Sequence, residues 1–544
     1  MKEQCLLTIA GEPLTVSQVC EFAKSSGNIS IQADSDLPDR MRSSAAVVKN
    51  AVDQNRTVYG VTTGFGGMAG VAVSSELAAE SQNNLMSFLA TGAGEPIDRR
   101  HVRGAMLLRA NVLARGCSGV RPEIVDRLFR FLELDATPVV RELGSIGASG
   151  DLVPLSAIAR AITGQTGFVK VQIEDETVDG DTALRKLGLE PLKLLPKEGL
   201  AIVNGTSFSS AIAANCVFEA RKLMALSIGT NGLMLRALLA QEEPFEDFVH
   251  QHKPHPGQRW AAKVIQKWLR EGRQNPNGKV VGVQDRYSIR CLPQYVGPIV
   301  EGIARVTSVV ETEMNSVSDN PLIDAENNRF YQSGNFLGQY IGIAMDDLRR
   351  YLGLMAKHLD VQIATLVAPE FNNGLPTSLC GNPERSYNMG LKGLQITGNS
   401  IMPMLTYYGN PIVEHFPTHA EQFNQNINGL SWGSANLAWK SVELFQHYMS
   451  VAMIFAVQAL DLRAKSSFGH YDGRGMLGSL AVPLYEAICE AMDHQPRSDR
   501  PFLFDDRDHW LEQQQAALLG NIREHGAVVK AIDPILESFD ENDF

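Results

Sequence analysis

At 544 residues the chain is larger than one hydrophobic core usually supports, and 44% hydrophobic against 20% charged residues is the balance of a compact globular protein. Its 49 basic and 61 acidic side chains leave a formal charge of -12, which repels phosphate backbones and anionic bilayers and excludes nucleic acid and membrane as expected partners. The seven cysteines are scattered without a CxxC pair, which predicts reduced thiols rather than a zinc ribbon or a disulfide framework.

In chain order, the N-terminal MKEQCLLTIAGEP has too short an apolar run for a signal peptide. Residues 1–205 mix short helices with glycine-rich turns and strand-like pieces such as Gly167 to Ile173. Residues 206–468 carry long stretches with apolar side chains at three- and four-residue spacing. These predict helices over Thr206 to Glu242, Pro293 to Met314, Phe336 to Leu366 and Ser431 to Arg463, each bounded by Gly, Asn or Pro breakers. The most apolar stretch, Glu443 to Asp461, is interrupted by Gln446, His447, Ser450 and Gln458 and reads as a buried core helix. Residues 469–544 return to short amphipathic helices and an acidic, frayed tail from Glu537. The expected fold is mainly α, with a long central helix bundle behind an N-terminal domain. Helices apolar on most faces need cover from neighbours, which predicts a homo-oligomer, and the whole reads as cytoplasmic.

The most unusual text is Gly144-Ser145-Ile146-Gly147-Ala148-Ser149-Gly150-Asp151-Leu152. Read alone it is a tight turn opening a helix over Val153 to Ile162, with Asp151 as N-cap, Pro154 in the first turn and Gly164 as terminator. A nucleophile elbow fails, because Asp151 stands where G-x-S-x-G needs its second glycine. A chemical reading is also open. The Gly150 nitrogen, with no Cβ beside it, can attack the Ala148 carbonyl. Loss of water from the ring and from Ser149 then gives 4-methylideneimidazol-5-one (MIO), an electrophile that no standard side chain supplies. A nearby helix N-terminus would stabilise negative charge developing on its oxygen.

GSIGASGDLVPLS, together with YGVTTGFG at Tyr59 to Gly66, resembles the MIO-dependent aromatic amino acid ammonia-lyases and aminomutases, nearest to phenylalanine ammonia-lyases of the cyanobacterial type. The resemblance extends through KPHPGQ (253–258), QDRYSIRCLPQ (284–294), DNPLID (319–324), GNFLGQ (334–339) and HAEQFNQNIN (419–428). It implies elimination of ammonia from an aromatic amino acid, L-phenylalanine first, to give trans-cinnamate. Phenylalanine or tyrosine 2,3-aminomutase and tyrosine ammonia-lyase share the machinery and stay open. It also implies an N-terminal MIO-bearing domain, a homotetramer whose active sites draw loops from three subunits, and no metal.

Residue by residue, the resemblance makes Ala148, Ser149 and Gly150 the MIO source and Tyr59 the base, with Gly60 in its loop. Asn204 and Tyr287 would orient MIO, and Arg290 would pair with the substrate carboxylate, assisted by Asn320 and Gln284. Phe336 would pack beneath the ring. Glu421 and Gln425 would lie near the amine, with Lys392 more distant. Phe88, Leu89, Leu152, Leu200, Val203 and Ile396 would line the ring pocket. Tyrosine-selective relatives carry His where this chain has Phe88, so an apolar Phe88 favours phenylalanine. Because Tyr has a reference pKa of about 10, Tyr59 needs a cationic or hydrogen-bonding setting to work as a base.

Three weaker motifs compete. Gly64 to Ala69 fits a loose G-x-G-x-x-A, but no strand–helix–strand alternation surrounds it. His250, His252 and His255 share a Pro-containing loop without metal-site spacing. Gly398-Asn399-Ser400-Ile401-Met402-Pro403 echoes the fumarase/aspartase signature loop but lacks its lysine. A non-enzymatic helical scaffold is the remaining alternative.

Overall fold

The structure, a computed structural model, describes every residue except 1–4, 10–11, 26–28, 165–168, 271–281, 416–418 and 543. Two compact units emerge, each assembled from three stretches of chain. The first comprises Met1–Phe218, Val306–Asp346 and Pro411–Trp439; the second comprises Glu219–Arg305, Asp347–Asn410 and Lys440–Phe544. The sequence divisions at 205 and 468 follow changes of pattern along the chain, whereas the units follow contacts. Each of the four long helices has residues in both units.

The periodic stretches form helices over Ser207–Ala237, Leu292–Met314, Gln339–Val367 and Ser431–Phe468. Between Ser207 and Leu238 only Phe218 and Arg221 are partly exposed, so polar members such as Ser209, Asn215 and Asn231 sit inside and need partners. Asn215 and Asn231 meet that need by donating to the carbonyls of Ala211 and Ser227, one turn back. In the last helix every residue from Tyr448 to Ala464 is buried. No helix among the described residues is long and apolar enough to cross a membrane.

All strands among the described residues lie in the first unit and are short. Cys5–Ile9 pairs in parallel with Ile29–Ala33, and Ala136–Pro138, Lys170–Ile173 and Glu176–Asp179 form an antiparallel sheet. The strand expected from Gly167 therefore begins at Lys170; Gly167 and Phe168 lie outside the described residues.

Two local expectations are corrected. The helix after the tripeptide runs Leu152–Thr163 and ends on Gly164 at φ 70° as read, but Asp151 does not cap it with its side chain. One carboxylate oxygen instead accepts the Ser209 N–H at 2.7 Å, in the first turn of the helix Ser207–Ala237, and the other accepts the Ser145 hydroxyl at 3.3 Å. A buried carboxylate gains more from that neighbouring helix's unpaired N–H groups than from its own turn. The C-terminal tail is not frayed from Glu537. A helix spans Asp533–Asp540, and Phe539 and Phe544 each lie 5.9 Å from the Trp260 ring. The Trp260 indole donates to the Ser538 carbonyl at 3.0 Å. The apolar payload of those aromatics outweighs the acidic composition.

Candidate active site

The loop 144–151 is tied down from several directions. The Gly147 carbonyl accepts from the N–H groups of Gly338 and Gly429 at 3.1 and 3.3 Å, and Ile146 accepts from Leu430 at 3.0 Å. Gly150 pairs in parallel with Gly205, and Asp151 donates to the Gly205 carbonyl at 2.8 Å. At Gly150, φ is 70° and a Cβ would run into the Gly205 backbone, so glycine is required on both counts. The middle residue is gripped by side chains. Asn204 Nδ2 donates to the Ser149 carbonyl at 2.9 Å, and Gln425 Nε2 donates to the Ser149 hydroxyl at 2.9 Å.

Ser149 faces a cavity of about 470 Å³ lined wholly by first-unit residues. Tyr59, Phe88, Ala148, Leu152, Leu200, Asn204, Asn320, Phe336, Glu421 and Gln425 share its wall. A larger cavity, about 570 Å³, lies behind the helix that follows the tripeptide and contains none of the residues singled out in the sequence for chemistry.

Several singled-out residues are placed elsewhere. Leu89 is buried and Val203 fully so, and neither is on the cavity wall. Leu89 ends the helix Ala78–Phe88, and its carbonyl accepts the Ser156 hydroxyl. Gly60, at φ 64°, backs the site: a Cβ there would meet a Leu200 methyl. Gln284, Tyr287, Arg290, Lys392 and Ile396 belong to the second unit. Of these, Tyr287 and Ile396 are 72% and 69% exposed. The Arg290 guanidinium stacks 4.7 Å from the Tyr287 ring.

The wall also includes Phe65, Gly66, Asn424 and Ile427, which lie inside the quoted motifs but were not singled out individually, and Leu85 and Gln332, which lie outside them. Leu85 sits one turn before Phe88 on one helix face, so periodicity alone was enough to find it. Gln332 carries no comparable signal.

Tyr59 and Glu421 approach each other from the two loops that roof the cavity. The Tyr59 hydroxyl accepts the Gly66 N–H at 2.9 Å. Burial pushes its pKa above the ordinary 10.0, the Gly66 hydrogen bond opposes this, and the Glu421 carboxylate adds to the rise. Burial likewise raises Glu421 above 4.5. The setting expected to favour an ionised Tyr59 is therefore not supplied by the residues around it here; Gly66 N–H is the one favourable contribution. The loose G-x-G-x-x-A text also finds its use, since a Cβ on Gly66 would collide with the Glu421 carboxylate and one on Gly67 with Gln422. The partner turn is unusual. Glu421, Gln422 and Phe423 hold φ of 50°, 51° and 67° in succession, a left-handed turn without glycine costing roughly 1–2 kcal/mol per residue.

The three histidines separate. His250 is buried between the Pro244 carbonyl and Gln258, while His252 bonds the Phe248 carbonyl. Among the described residues no three His, Cys, Asp or Glu side chains converge as a metal site.

The family model for aromatic amino acid lyases matches residues 14–479. The chain belongs to the aromatic amino acid lyase family. A phenylalanine ammonia-lyase of Nostoc punctiforme is 48% identical, with the match covering 98% of this chain and 95% of that relative. An aromatic ammonia-lyase of Loktanella atrilutea is 40% identical over 98% of this chain and 99% of the relative. Among solved structures, the Pantoea agglomerans phenylalanine aminomutase aligns with a TM-score of 0.85 at 26% identity, covering 95% of this chain and 98% of that one. The family fold thus extends across both units of the chain.

Proposed function

We propose that this chain is a cytoplasmic, homotetrameric phenylalanine ammonia-lyase that converts L-phenylalanine to trans-cinnamate and ammonia using MIO made from Ala148, Ser149 and Gly150. The observation that carries the reading is the grip on Ser149, with Asn204 on its carbonyl and Gln425 on its hydroxyl, beside a Gly150 pressed against Gly205. The phenylalanine ammonia-lyase relative at 48% identity supports it.

The residues present fit the group. Ring closure joins the Gly150 nitrogen to the Ala148 carbonyl carbon and releases the Ala148 oxygen as water; the Ser149 hydroxyl leaves as the second. The Ser149 carbonyl survives as the ring oxygen, and that is the atom Asn204 already holds at 2.9 Å. Gln425 donates to the departing hydroxyl, helping it leave. Once formed, MIO supplies an electrophilic methylene that activates the amine as a leaving group.

The remaining work falls to the chain's side chains. Tyr59 takes the β-proton, and Asn204, which holds the Ser149 carbonyl oxygen, would stabilise charge developing on that atom. Phe336 and the apolar wall exclude water and position the aromatic ring. In this proposal Gln284, Tyr287, Arg290 and Lys392 reach the cavity from neighbouring copies of the chain. Arg290 binds the carboxylate, and the Arg290 and Lys392 cations offset the burial that keeps Tyr59 protonated. Leu85, Phe88, Leu152 and Leu200 give a para hydroxyl no partner, which selects phenylalanine over tyrosine.

The test incubates the purified chain with L-phenylalanine, identifies products chromatographically and measures the intact mass. Trans-cinnamate with ammonia, and a mass short by two waters, is the expected result. β-Phenylalanine as main product would make the chain an aminomutase, preferential p-coumarate from tyrosine would reassign the substrate, and an unshortened mass would remove MIO altogether.

A further inference from the structure

Directly beneath the Asn204–Gly205 corner lies a charge that none of the roles above uses. Arg109, on the helix Arg99–Ala114, is completely buried. Its Nη1 donates to the Asn204 carbonyl at 3.0 Å and reaches the Ser207 hydroxyl at 3.4 Å, while Nε and Nη2 have no hydrogen-bond partner. Burying a guanidinium is costly, and burial brings its pKa down to about 10, with Asp319 and then Asp151 opposing the fall. Asp319 is already paired, accepting Lys197 Nζ at 2.8 Å in a fully buried ion pair. A chain that needed only a packed core here would do better with an apolar side chain of similar volume.

The geometry around Nη1 explains the expense. Gly205 has φ 145°, and a Cβ there would strike Arg109 Nη1 and the Ser318 carbonyl. The Asn204 carbonyl held by Arg109 belongs to the peptide that leads into Gly205, whose own carbonyl receives the Asp151 N–H. Releasing the Asn204 carbonyl would let the Asn204 Cα shift with its peptide, moving the side-chain amide away from the Ser149 carbonyl and loosening the Gly150–Gly205 pairing together.

We infer that Arg109 is a positioning residue, fixing the Asn204–Gly205 peptide so that the Asn204 amide stays aimed at the Ser149 carbonyl oxygen. This rests on the proposed reading of that oxygen as the charge-bearing atom. Arg109 touches neither substrate nor the reacting atoms; it acts through Asn204.

The experiment is a double-mutant cycle between Arg109→Lys and Asn204→Ala in the full-length enzyme, reading kcat, KM and intact mass. Lysine keeps the charge but not the planar reach. Arg109→Lys is expected to lower kcat about ten- to hundredfold, against about a hundred- to thousandfold for losing an oxyanion donor outright. KM for phenylalanine should stay within about twofold, since uniform binding is untouched. In the Asn204→Ala background the same substitution should cost little further, because the group it positions is gone. Equal costs in both backgrounds, or an unchanged kcat, overturn the inference. Arg109→Gln, which keeps an N–H donor without charge, stands in if the lysine variant does not fold; failure of both to fold assigns Arg109 a purely structural role and also overturns it. A wild-type mass without the loss of two waters is the separate result that defeats the MIO reading itself.

Discussion

The floor and the roof of the cavity are built on opposite principles. The floor, Ala148 to Asp151 with Asn204 and Gly205, is buried apart from the half-buried Ser149 and is tied by backbone and side-chain hydrogen bonds, with Arg109 and the Lys197–Asp319 ion pair beneath it. The roof and the ring wall are open, with Phe88 at 52%, Phe423 at 66% and Ile427 at 67% exposure. Yet the roof contains the strained turn at Glu421 to Phe423 and, in Tyr59 and Glu421, a phenol and a carboxyl group whose pKa values burial raises, as it raises Asp151 in the floor. The lesson is a division of labour. Under the proposed function, a group made by backbone chemistry would need a rigid mould, whereas groups that exchange protons with a ligand would need a surface that a ligand and neighbouring copies can complete.

Substitutions should therefore separate the two regions, and the largest effect belongs to the floor. Ser149→Ala removes the only hydroxyl available for expulsion, so turnover should fall by more than about a thousandfold. The variant should keep its thermal melting profile and the dehydrated mass should disappear. Wild-type activity in this variant would separate catalysis from the tripeptide.

In the roof, Tyr59→Phe should reduce turnover about 10²- to 10⁴-fold while leaving the mass short by two waters. That pairing of results would sharpen the contrast, because the mould would survive the loss of the proposed base. A Tyr59→Phe protein lacking the dehydration would instead make the two regions one functional unit.

The ring wall should show a smaller, selective effect. An unpartnered para hydroxyl costs about 1–3 kcal/mol, and Phe88→His offers it a partner. The ratio of kcat/KM for tyrosine over phenylalanine should rise about tenfold. A ratio that does not move would take Phe88 out of ring recognition.

The gentlest test uses pH. The Glu421 carboxylate raises the Tyr59 pKa, so Glu421→Gln should lower it and move the ascending alkaline limb of kcat/KM towards lower pH. The position of the limb is the readout, since the absolute rate also feels any loss of amine contacts. A limb that stays in place, or moves upward, would mean that the two roof groups do not share a field.

Legibility in the sequence divides along similar lines. The four long helices were readable to within a few residues from their apolar spacing, and Gly164 ended its helix as its type demands. The text around Ser149 read alone only as a tight turn opening a helix; its chemical reading came with the resemblance carried by several motifs together, and it stands as a proposal. Asp151 misled because a cap was assigned by adjacency, when the N–H groups that bind it belong to a helix 56 positions onward in the chain, at Ser207. Leu89 closes the helix Ala78–Phe88 as its C-cap and is buried off the cavity wall, whereas Leu85 and Phe88 are on it.

What the sequence determined by itself was therefore local or periodic: helix extents, the turn text around Ser149, the apolar character at Phe88 and the net charge of -12. Tertiary structure alone decided which distant groups meet. Nothing in the spacing of Arg109, Asn204 and Ser149 foretells that a buried guanidinium, an amide and a serine carbonyl line up within hydrogen-bonding distance. Nor does any glycine or asparagine mark Glu421 to Phe423 as a left-handed turn. The physical reason is the same in both cases. Local propensity costs or gains fractions of a kcal/mol per residue, and long-range packing of charges and strained turns overrides it wherever the surrounding fold supplies the compensating partners.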